Sequence, residues 1–212
     1  MQQAEQESIV PGGAFQERHV DADGSRVRCW EAGRGEPLLW LHGAGGPRLS
    51  RALDLLAESR RVIAIELSGL DDSAASMASR VAAAAAALGV ERCAVLGTAG
   101  GGVVALWLAL THPELVATLV LEAPDHDEAL MARLGEIQAP TLALYGSRDG
   151  VTPPELGRVY PTDVSGGHFV IVYDAGHDIQ ADRPEAFAEV VGDFVARGPA
   201  FLVNDRPSAL YP

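Results

Sequence analysis

Residues 37–41, Pro-Leu-Leu-Trp-Leu, carry no polar side chain and stop at His42-Gly43-Ala44-Gly45-Gly46. A strand wetted on one face alternates apolar and polar residues, so a continuous apolar run reads as a strand covered on both faces. The glycines at its end supply a tight turn. Comparable runs recur at 61–67, 93–97, 118–122, 141–145 and 168–173. Helical stretches separate them: 50–59 with Leu53, Leu55 and Leu56 inward, the Ala-rich 74–88, 101–111, a short 128–134, and 184–196. Ahead of all these, 16–20 and 26–31 read as a hairpin turning through Asp23-Gly24. Eight strands, the six after an opening hairpin alternating with helices, imply a mostly parallel sheet with helices on both faces. Sites in such sheets form at the carboxyl ends of the strands. The loops that matter are therefore 42–48, 67–73, 97–101, 123–127, 146–153 and 174–179.

At 212 residues the chain has one domain's length, with no linker or repeat dividing it. We read a flexible arm over 1–14, the domain over 15–197, and a tail over 198–212 packing on it. Net charge is −13, and all 16 basic residues are scattered arginines. That excludes the concentrated basic patch a nucleic-acid partner or an anionic membrane requires. Cys29 and Cys93 lie in apolar stretches and read as buried free thiols. The first residues lack the basic and apolar regions of a signal peptide, and no apolar run is long enough to span a bilayer. The expectation is a cytoplasmic protein. Abundant Ala and Arg without Lys fits a GC-rich bacterial source.

The chemistry concentrates after the fifth strand, at Leu96-Gly97-Thr98-Ala99-Gly100-Gly101. The strand-to-helix turn G-x-S-x-G presents a nucleophile above a sheet, its glycines allowing close packing around a strained central residue. Both glycines stand in place here, as Gly97 and Gly101, but the centre is Ala99. Downstream, Asp149 follows the 141–145 strand and His177 follows the last strand, the order nucleophile, acid, histidine. Backbone N–H groups of Ala44 and Gly100 are the candidate oxyanion donors. His42, Gly43, Thr98, Asp125 and His126 are expected to line the pocket.

These pieces resemble the α/β-hydrolase superfamily from about residue 16 to residue 197. The resemblance is carried by 38–43, 96–101, 109–116, 146–153 and 175–177, followed by Asp182-Arg183-Pro184-Glu185-Ala186-Phe187. It implies Asp149 as acid and His177 as base. The chain departs from the pattern in three ways. Ala99 replaces the nucleophile. About 16 residues follow Glu122 where the family inserts a helical cap, so no cap is expected. The segment after Gly43 is compressed.

A methyl group cannot attack a carbonyl, and loss of a triad serine costs on the order of 10⁶ in turnover. Three readings follow: a serine esterase with its nucleophile replaced, a non-catalytic module binding a small molecule or protein, or a His–Asp general-base enzyme of lyase or cofactor-free oxygenase type. The expected partner is a small-molecule ligand or substrate, with a homodimer left open. No metal or organic cofactor is implied; Asp125-His126-Asp127 reads as a solvated helix start. His42, His112 and His168 read as structural, as do Trp30, Trp40 and Trp107. The segment 66–73 reads as a structural turn, and three successive glycines without a following Lys are no phosphate loop.

Overall fold

The computed structural model describes residues 11–67 and 73–201. The readings of 1–10 as part of an arm, of 68–72 as part of a turn and of 202–212 as tail lie outside those residues. The described part is built on an eight-stranded sheet: β1 (Gln16–Ala22), β2 (Ser25–Ala32), β3 (Pro37–Leu41), β4 (Arg61–Ile65), β5 (Cys93–Thr98), β6 (Val116–Glu122), β7 (Thr141–Gly146) and β8 (Gly167–Val172). Their spatial order is β1-β2-β4-β3-β5-β6-β7-β8. The hairpin pairs antiparallel through Asp23-Gly24 and docks antiparallel on β4, while β4 to β8 run parallel.

The helices are α1 (Arg51–Ala57), α2 (Ala74–Ala87), α3 (Gly100–Thr111), α4 (Glu128–Met131), α5 (Val159–Asp163), α6 (Ile179–Asp182) and α7 (Pro184–Arg197). They split into two layers. On one face Leu39, Leu41, Ile63 and Val95 pack with Val81 and Ala85 of α2 and Val104 and Leu108 of α3. On the other, Leu38, Trp40, Val62 and Leu96 pack with Leu53 and Leu56 of α1 and Phe187, Val191 and Phe194 of α7. Neighbouring residues of each central strand thus feed opposite cores, which is why those strands are apolar throughout. Cys29 and Cys93 are free and buried in the first core.

Several boundaries differ from expectation. β6 begins at Val116 rather than Thr118, across an irregular register between Cys93 and Ala94. In α1 Leu55 is only half-buried, whereas Asp54 lies inside and accepts from the Gly12 N–H at 2.9 Å. α5, the 3₁₀ turn Pro154–Arg158 before it, and α6 were not expected. The first two sit among Pro153, Pro154, Gly157 and Pro161, which hide any helical period, and four residues of α6 are too few to show one. Between β6 and β7, residues 123–140 hold α4 and one 3₁₀ turn, so no cap is inserted there.

Strand order reverses beside β3: the chain steps outward to β4 and then crosses back to β5. The crevice at the carboxyl ends of strands flanking such a reversal is the natural ligand site of an open α/β sheet. Here the loops after β3 and β5 meet there, with Leu41 registered against Gly97.

Candidate active site

Ala99 occupies the turn between β5 and α3 with φ 48° and ψ −119°, a left-handed conformation that costs a non-glycine residue about 1–3 kcal/mol. Local packing holds it. The Ala99 N–H bonds Glu122 O at 3.0 Å, and Ala99 O accepts from Gly102 N at 2.8 Å and Asp125 N at 3.2 Å. The glycines are sterically required. A Cβ on Gly101 would overlap the Leu41 carbonyl oxygen, and one on Gly97 would come within 2.6 Å of Gly101 O. The turn is therefore a nucleophile elbow in backbone geometry, with a methyl group at its apex.

Asp149 is buried behind the loop after β7. Its Oδ1 accepts from the N–H groups of Val151 (2.8 Å) and Thr152 (2.9 Å). Its Oδ2 meets His177 Nδ1 at 2.9 Å. The carboxylate thus caps its own turn with one oxygen and faces the imidazole with the other. The His177 side chain is 29% exposed, whereas that of Asp149 is fully covered. Two loops are stitched together to bring the pair into register. Ser147 N bonds Val172 O, Arg148 N bonds Ala175 O, and Arg148 pairs with Asp174 at 3.1 Å. A Cβ on Gly146 would overlap the carbonyl oxygen of Gly176, so a side chain there would push the histidine loop away.

A cavity of about 740 Å³ lies over this arrangement. Of the expected residues, His177, Ala99, Ala44, His42, Gly43, Thr98 and Asp125 line it. His126 does not: it is exposed and outside the lining, because Asp127 turns the chain into α4 by accepting from Leu130 N. Gly100 is the first residue of α3, so its N–H has no intrahelical partner. The 42–44 turn lies on the elbow, since a Cβ on Gly43 would sit 3.1 Å from the Ala99 methyl and 3.9 Å from Gly100 N. His42 is a strut. Nδ1 donates to Gly43 O at 2.7 Å while Nε2 accepts from Leu67 N at 2.8 Å, and burial lowers its pKa, keeping it neutral. The Asp125 carboxylate stands 3.4 Å from where a Gly100 Cβ would be.

A buried polar network behind the elbow was not expected from the sequence. Thr98 Oγ1 donates to Glu122 Oε2 (2.9 Å) and accepts from Trp40 Nε1 (3.0 Å) and Gln180 Nε2 (3.1 Å). Gln180 also donates to Glu122 through its backbone N–H and its amide, and accepts from Ser50 Oγ at 3.0 Å. Glu122 is fully buried, and that burial raises its pKa to about 7 against the pull of its three donors. The network ties β3, the elbow, β6, α6 and the cap of α1 to one carboxyl group. The only sequence signal was an acidic residue ending an otherwise apolar strand. Among the described residues no cluster of three His, Cys, Asp or Glu side chains could hold a metal ion.

Comparison with known proteins follows the same lines. The family model described as alpha/beta hydrolase fold matches residues 36–134. A pimeloyl-[acyl-carrier protein] methyl ester esterase from Neisseria meningitidis is 35% identical over 79 residues, covering 36% of this chain and 31% of the esterase. A 2-hydroxy-6-oxo-6-(2'-aminophenyl)hexa-2,4-dienoic acid hydrolase from Metapseudomonas resinovorans is 28% identical over 165 residues, covering 71% of this chain and 56% of the hydrolase. The match thus spans from 31% to 56% of these relatives' length. The crystal structure of a predicted CIB-like hydrolase from Thermoplasma acidophilum superposes with a TM-score of 0.78 at 25% identity, covering 85% of this chain and 97% of that one. Sheet order, elbow backbone, family model and structural likeness agree: the chain belongs to the α/β-hydrolase superfamily.

Proposed function

We propose that this protein carries the acid, base and oxyanion donors of an ester or acyl hydrolase, with Ala99 in the nucleophile's position, and that it is hydrolytically impaired for that reason alone. The observation that carries the reading is a strained elbow and an assembled His177–Asp149 pair facing one cavity. In such a site Asp149 holds the Nδ1–H of His177, leaving Nε2 to take a proton from a hydroxyl at residue 99. The N–H groups of Ala44 and Gly100 would receive the oxyanion. Relatives named as an ester esterase and a dienoic acid hydrolase support carbonyl chemistry at this site.

The test is hydrolysis of p-nitrophenyl butyrate by the chain and by Ala99→Ser. The expected outcome is a gain of at least ~10³-fold in kcat/KM that disappears in Ala99→Ser/His177→Ala. No gain in Ala99→Ser would overturn the reading. The same His177–Asp149 pair supports a second reading, general-base catalysis without a covalent step. That reading predicts His177-dependent turnover by the unmodified chain. If neither protein turns over, the site is a binding module.

A further inference from the structure

Arg48, between β3 and α1, and Arg51, the first residue of α1, line the cavity. Among the described residues neither guanidinium has a carboxylate within ion-pair distance, unlike Arg148 and Arg183, which both meet Asp174. Arginines on open surface are solvated and signify little. These two share a cavity with the elbow and His177, in a chain of net charge −13. Arg48 is exposed and Arg51 half-buried, and two arginines in one lining stand out against so acidic a background.

The remaining charged groups of the lining are Asp125 and Asp178, on the loops after β6 and β8. Asp178 is already engaged, its Oδ1 accepting from Ala181 N. Asp125 stands beside Gly100 at the elbow. The arginines thus come from one segment of the lining, residues 48–51, and the acids from two other loops. A ligand with one negative end gains where it meets the arginines. A carboxylate matches a guanidinium fork in charge and geometry.

We propose that Arg48 and Arg51 form an anion subsite, and that the ester this cavity takes carries a carboxylate remote from its scissile bond. The proposal rests on the reading of the cavity as an ester site. Its test begins with the unmodified chain. Binding of monomethyl glutarate and dimethyl glutarate, which differ in one carboxylate, is measured by calorimetry at low salt. The expected result is at least ~10-fold tighter binding of the monoester, shrinking to within about twofold in Arg48→Gln/Arg51→Gln. Equal binding of the two esters by the unmodified chain, or a gap that survives in the double variant, overturns the subsite. The Ala99→Ser chain, assayed for hydrolysis of the same pair, separates the two ideas. Turnover without preference for the monoester removes the subsite and leaves the hydrolase reading standing. An arginine-dependent binding gap without turnover leaves the subsite and removes the hydrolase reading.

Discussion

At the scale of single residues, the site is defined by what Ala99 lacks and by what still surrounds it. Its φ of 48° is the conformation a nucleophile elbow imposes, and a methyl group gains nothing from it. The Asp149–His177 contact was legible because each residue follows a strand in the family order. Two features were not. Asp149 acts as turn cap and imidazole partner together, and a sequence shows only one such role at a time. Asp125 was read as pocket lining, but its place over Gly100 depends on the Asp125 N–H bonding Ala99 O, a contact across the elbow. A negative charge there opposes an oxyanion at the adjacent N–H. In the Ala99→Ser background, Asp125→Asn should therefore raise kcat roughly 3- to 10-fold with little change in KM. An unchanged or lower kcat would show that the carboxylate does not face the developing charge.

At the scale of elements, the site depends on close crossings of backbone. α3 runs against the end of β3 so tightly that Gly101 touches the Leu41 carbonyl. Gly101→Ala should cost about 2–4 kcal/mol, read as a loss of Tm in thermal unfolding, since the helix must shift off the sheet to admit one methyl. Gly150→Ala meets nothing within 4 Å and serves as the control, expected to stay within about 0.5 kcal/mol. The strands were legible because double-sided burial leaves continuous apolar runs at Leu38–Leu41 and Val62–Ile65. α5 and α6 were not, because prolines and brevity erase periodicity there. His126 was misplaced for a similar reason. Asp125-His126-Asp127 shows no sign of which member turns inward, and the cap made by Asp127 decides it.

At the scale of the whole molecule, Glu122 joins five segments through one buried carboxyl. Its pKa of about 7 lies above that of an unfolded glutamate, so between about pH 4.5 and 7 the folded chain holds the proton that the unfolded chain has lost. Stability should accordingly fall as pH rises through that window, by up to about 3 kcal/mol from this group, and level off above it. Glu122→Gln should flatten that part of the profile, measured as Tm against pH. A slope that persists in the variant would assign it to other groups. No single segment shows this coupling, since its members are Trp40, Ser50, Thr98, Glu122 and Gln180, far apart in the chain. The elbow in front of that network also has a genetic meaning. Every alanine codon becomes a serine codon by one base change, and the backbone around Ala99 is already bent for the newcomer. On the proposed reading, the present chain and a serine hydrolase are thus neighbours in inheritance, with no intermediate fold to cross between them.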